Sequence, residues 1–276
     1  MKRILCAALL LTIFAGACGG GGALPGESVA QAAELAKEQG SANVSMAMDM
    51  TIPNGSISMT GEGAFDLKGN RGHLTFTATG TGDGAAASEQ IGTMETVYDE
   101  FVVYMKMPIL ANVLPEGKTW IMVDLQKAGE ASGIDFQQLT QMGQNNPMQQ
   151  LDYLQGSKNI EEVGTEEVRG TETTHYKGVI DFDELQKTLP TEVGGSIDKI
   201  QELSGIDQAP IEVWLDGDGL PRRVKYDFAY DMPAGSGPMS DAKMSITMEF
   251  FDYGTDVTVD VPAAEEVFDP TEAQQG

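Results

Sequence analysis

From Val44 the chain alternates, with Met46, Met48, Met50 and Ile52 separated by Ser45, Ala47, Asp49 and Thr51. A two-residue period puts every second side chain on one face, so this segment predicts a strand with an apolar side. Ile57 and Met59, then Phe65 and Leu67, continue the pattern, and Leu74, Phe76 and Ala78 make a further short strand ahead of a loose loop, TGDGAAASEQ. Val97 and then Phe101, Val103, Met105 and Met107 predict strands broken by a turn at Asp99-Glu100. Pro115-Glu116-Gly117-Lys118 turns the chain into Trp120-Ile121-Met122-Val123. Strands resume over 163–182 and again at Ile211–Leu215 and Val224–Tyr230, the last two flanking Asp216-Gly217-Asp218-Gly219, a strong hairpin signal. Met244, Ile246, Met248 and Phe250 form another strand, and Val257, Val259 and Val261 are expected to finish the sheet.

The period lengthens in three places. Residues 23–40 predict an amphipathic helix, opened by a Ser28–Gln31 capping box and stopped at Gly40. Across 128–158, Phe136, Leu139, Met142, Met148, Leu151 and Leu154 fall at helical spacing, with Pro147 placed to start a second helix. Residues 183–203 are helical in pattern, interrupted by Pro190 and Gly194-Gly195. Many antiparallel strands with a few helices predict an α+β fold built on one large sheet. No linker divides the chain, so 27–268 is expected to be a single domain followed by a polar tail, 269–276.

The first residues change the picture. Lys2 and Arg3 precede an apolar run from Ile4 to Phe14, too short for a membrane span of about 20 residues but suited to a signal-peptide core. Ala15, Gly16 and Ala17 are small, as a signal peptidase cleft requires, and Cys18 follows at once. A plain secretory signal would also satisfy this cleavage rule. The four glycines Gly19–Gly22, however, form a flexible tether that suits a lipid-modified cysteine. Residues 1–17 are therefore expected to be a signal peptide and 18–26 a tether carrying a lipid on Cys18. The protein is expected to be exported and anchored to the outer face of the cell membrane.

Cys6 leaves with the signal, so no disulfide framework is possible and the fold must rest on its core. A net charge of −25 repels nucleic acid and anionic headgroups, which leaves the N-terminal lipid as the membrane contact.

Motifs that resemble chemistry do not hold together. Gly80-Thr81-Gly82-Asp83-Gly84-Ala85 imitates a dinucleotide loop, yet only a short polar stretch separates it from the next strand, where a crossover helix is needed. Gly117-Lys118-Thr119 lacks the first glycine of a phosphate loop, its place taken by Asn112. Asp216 and Asp218 suggest a calcium loop, but Leu220 and Pro221 occupy ligand and glycine positions, so a turn is expected. His73 and His175 are far apart in sequence, and Glu161-Glu162 and Glu166-Glu167 read as a solvated strand edge. The sequence implies neither an enzyme nor a cofactor.

Methionine is the unusual feature. Met46, Met48, Met50, Met59, Met105, Met107, Met122, Met244 and Met248 all lie in strand patterns. A well-specified sheet core prefers Val, Ile and Leu, whereas unbranched, polarizable methionine suits a wall that must fit varied apolar shapes. These nine are the candidate lining of a lipid cavity, and Met46 to Ile52 spans about 20 Å at about 3.3 Å per residue, one long acyl chain. Copper(I) is the rival ligand for Met46, Met48 and Met50, but no neighbouring His or Cys completes a site, so no metal is assigned.

Several segments resemble the LppX/LprAFG lipoproteins of mycobacteria and their actinobacterial relatives. They are Val163-Gly164 to Arg169-Gly170 leading to His175-Tyr176, Val213-Trp214-Leu215-Asp216 through Gly219-Leu220-Pro221-Arg222-Arg223-Val224, and Phe251-Asp252-Tyr253-Gly254 running to Val261-Pro262. The resemblance implies a large curved antiparallel sheet, a half-barrel of the kind seen in carriers of lipoproteins, with helices packed in its concave face around an apolar cavity. It also implies a lipid or acylated glycolipid ligand. A lipoprotein with a closed core that binds a protein partner is the alternative.

Overall fold

The computed structural model describes residues 25–132, 160–183, 206–229 and 242–270, together with Gln186, Gly195, Asp198 and Gln201. The signal region with Cys18, the helices expected over 133–158 and most of 184–205 lie outside the described residues.

Helix α1 (Pro25–Gln39) leads into three long strands, β1 (Ser41–Ile52), β2 (Gly55–Asp66) and β3 (Arg71–Gly82). Helix α2 (Gly84–Ile91), β4 (Thr93–Asp99), β5 (Val102–Lys106), β6 (Trp120–Asp124) and α3 (Leu125–Ser132) follow. The second half holds β7 (Glu161–Val168), β8 (Thr171–Asp181), β9 (Gln208–Asp216), β10 (Pro221–Ala229), β11 (Lys243–Phe251) and β12 (Val267–Phe268). The strands form one curved sheet in the order β12-β6-β5-β4-β3-β2-β1-β11-β10-β9-β8-β7. Two antiparallel meanders, β1 to β6 and β7 to β11, join where β1 pairs with β11. The sheet is open, with β7 at one edge and β12 at the other, and β12 runs parallel to β6.

Local chemistry sets these elements. Gly40 turns out of α1 at φ +89, a left-handed conformation that glycine adopts without strain. Val29, Ala32, Ala33 and Ala36 recur at helical spacing and are fully buried. Their small side chains let α1 lie close over β1, β9 and β10, where Val44, Ile211, Val213, Leu215, Val224 and Phe250 complete the core. Gly61 gives room of another kind, because the Phe76 ring lies where its Cβ would be, 2.5 Å away.

Three expectations are corrected. The helix begins at Pro25, inside the expected tether, so Ser28 is an interior residue and not a cap. The loop after β3 is helix α2, which buries only Gly84 and Ser88, residues too small to leave an apolar pattern. Despite that helix, β3 and β4 pair antiparallel, so, as expected, no parallel crossover follows the Gly80–Ala85 loop. Finally, Val257, Val259 and Val261 are not in a strand, and β12 ends the sheet instead.

Candidate functional site

Residues paired across a ladder project from the same face, so the register fixes which side chains are neighbours. One row reads Ile211, Tyr226, Ile246, Met48, Met59 and Ala78 across six strands. The next toward the ends of β1 and β10 reads Phe228, Met244, Met50 and Ile57. On the other side lies the row Val224, Met248, Met46, Gly61, Phe76 and Met94. Through Thr96 of β4, Met105 joins the same face, and Met107 follows at the end of its strand. The expected methionines thus converge, with one exception. Met122 pairs with Tyr104, which pairs with Val97, itself the partner of His73, and so sits on the opposite face. Met94 lies on the same face and was missed, because a single methionine in a polar strand leaves no pattern.

Burial divides the face. Beneath α1 it is closed: Val44 is 0% exposed and Phe250 1%. Beyond the helix Met46, Met48, Met50, Met59, Met105 and Met244 are half-buried, while Met248 is buried in the core at 4%. At the far end α2 packs over β2 and β3, its Gly84 against Ile57 and its Ser88 over Gly80. The half-buried methionines lie along the face between the two helices.

A cavity of about 400 Å³ opens at the ends of β1, β9, β10 and β11. Phe228 and Met244 contribute from the apolar face, and Asp49, Asp227 and Ser245 from the polar one, so it straddles the lip of the sheet. Burial works to raise the Asp227 carboxyl, but hydrogen bonds from Lys225, at 2.9 Å, and Ser245 outweigh it and hold the group below its ordinary range. Asp49 accepts from the Ser58 hydroxyl at 2.5 Å. Asp207 and Lys243 add one charge of each sign, leaving the lip acidic.

The polar face carries an ionic network that the sequence did not reveal. The His175 ring stacks on Trp214 at 4.1 Å and bonds Glu212 at 2.8 Å. Arg223 lies over the Trp214 ring and donates to Glu249, which also accepts from Arg169 at 2.6 Å. Desolvation opposes the Glu249 charge, yet the two arginines lower its pKa overall. Glu166, expected to be merely solvated, accepts from Trp214 Nε1 at 2.8 Å and pairs with Arg223. His73 and His175 are not brought together, since five strands separate β3 from β8. Among the described residues, no group of three His, Cys, Asp or Glu side chains is disposed to hold a metal ion, and no helix is long and apolar enough to cross a membrane.

No family model matches the chain. A Streptomyces griseus protein, an uncharacterized 31.2 kDa protein of the rplA-rplJ intergenic region, is 30% identical over 252 residues, covering 87% of this chain and 78% of its own. A Streptomyces coelicolor protein provisionally named a lipoprotein is 26% identical over 263 residues, 92% of this chain and 80% of that one. Among solved structures, LppX of Mycobacterium tuberculosis aligns with a TM-score of 0.46 and 15% identity over 86% of this chain and 98% of its own. LprF of Mycobacterium bovis aligns with a TM-score of 0.44 and 14% identity, over 87% and 97%. The chain belongs to the family of the Streptomyces griseus protein.

Proposed function

We propose that this protein is cut before Cys18, held on the outer face of the cell membrane by a lipid on that cysteine, and binds or carries acylated lipids, glycolipids included. The observation that carries the reading is the half-buried row of Met48, Met59 and Ile246 with its neighbours Met50 and Met244, lying on one face between two helices and reaching a cavity at the sheet's lip. An acyl chain laid on such a wall leaves water at about 25 cal/mol per Å² of apolar surface, and methionine adapts to chains of different shape. No bond is made or broken, so binding alone suffices. The closed-core alternative draws on the burial of Met248 and the packing of Met46, Met48 and Met59 against the core.

Protein purified from its native host and analysed by mass spectrometry tests the reading. The expected result is a diacylglyceryl-modified peptide beginning at Cys18, together with a stoichiometric acylated lipid in the organic extract. An unmodified N-terminus would remove the anchor, and no extracted lipid would favour the closed-core alternative.

A further inference from the structure

Two hydroxyls among the described residues are buried without a hydrogen-bond partner, Tyr226 Oη and Thr96 Oγ1. Each belongs to a residue 3% exposed. An unpaired buried hydroxyl is costly, so each calls for an explanation. Their surroundings differ. Toward the core Thr96 shares its row with Leu74, Val44 and Phe250, all at most 1% exposed, and only its other neighbour, Met105 on β5, is half-buried. Tyr226 has the buried Ile211 on one side, but on the other its row runs through Ile246, Met48 and Met59, three half-buried residues in succession. Its ring stacks on Phe228 at 6.0 Å, and Phe228 lines the cavity at the lip.

We propose that the Tyr226 hydroxyl is the polar anchor of the lipid site, donating a hydrogen bond to the ester carbonyl at the junction of a cargo's head and acyl chain. This rests on the lipid-binding reading and adds the residue that holds the ester of such a cargo, so that an acyl ester binds in preference to a plain hydrocarbon. In an amphiphile the ester sits between the polar head and the chain. Tyr226 holds the matching position, two residues, or about 7 Å, along β10 from the cavity wall at Phe228. From there a chain crosses Ile246, Met48 and Met59 at about 4.8 Å per strand. Tyr226 is not itself in the cavity wall, so the Phe228 ring, which touches both, must turn aside for cargo to reach the hydroxyl. Burial pushes the Tyr226 phenol up, so it stays protonated and able to donate throughout the physiological range.

The test compares two fluorescent probes on the purified protein, the methyl ester of pyrenedecanoic acid and pyrenyldecane, which lacks the carbonyl. The wild type should bind the ester roughly tenfold more tightly. Tyr226→Phe should bring the ester down to the hydrocarbon's affinity with no loss in melting temperature, because the ring remains and an unpaired hydroxyl is removed. Thr96→Val, which removes the other unpaired hydroxyl, should alter neither affinity. An ester preference that survives Tyr226→Phe, or no preference in the wild type, would overturn the anchor and leave the lipid site standing. If the wild type takes up neither probe, the lipid-binding reading fails and the anchor with it.

Discussion

Asp216 closes the β9–β10 hairpin with one carboxylate. Its Oδ1 accepts from the amides of Asp218, at 3.0 Å, and Leu220, at 2.9 Å, and its Oδ2 accepts from Arg222 Nε at 2.7 Å. The Asp216 side chain is only 5% exposed, so this is a buried charge with every partner in place. The turn expected from the sequence is present, but the weight that Asp216 bears in it is not visible in a D-G-D-G pattern. Asp216→Asn keeps the shape, loses the charge and turns an amide toward Arg222. It should cost about 1–3 kcal/mol in chemical denaturation, while Asp218→Asn should change little. A rise in melting temperature with calcium, lost in both variants, would show that the loop binds metal after all. Single residues were the least legible part of the chain. Met122 sits within an unbroken apolar run, where alternation cannot say which face a side chain takes, and Glu166 finds its partners only through pairing with distant strands.

At the scale of elements, the long strands were legible because β1, β3 and β11 each have one apolar and one polar face, and the two-residue period survives in the sequence. Helix α2 was not, because it packs through Gly84 and Ser88 and presents no apolar stripe. Residues 257–261 show the opposite failure. Val257 and Val259 are still half-buried between exposed neighbours, but Val261 is exposed and no ladder partner takes the segment up, so it does not join the sheet. Alternation reports a two-sided environment and does not by itself make a strand. Helix α1 was legible in its spacing but not in the closeness of its contact, which depends on three alanines. Ala33→Leu should therefore force α1 off β1, β9 and β10 and cost about 1–3 kcal/mol by overpacking, measured by thermal or urea unfolding. A fully tolerated leucine would mean that α1 is loosely held.

The described residues form an open sheet with two unlike faces and one guarded edge. Edge strand β7 carries Glu161, Glu162, Glu166 and Glu167 and an irregularity between Glu162 and Gly164, features that discourage pairing with another chain. On the polar face Ser58, Thr60, Thr75, Thr77 and Thr79 lie across from the methionines, one residue out of phase with them. That phase makes the strands their own control. A diazirine-bearing fatty acyl ester, bound to the protein, irradiated and mapped residue by residue, tests the lipid-binding face most directly. The account predicts insertion at Met48, Met50, Met59 and Met244, suppressed by excess unlabelled lipid, with Ser58, Thr60, Thr75 and Thr77 unlabelled. Insertion on the threonine face, or labelling that unlabelled lipid does not compete away, would contradict it.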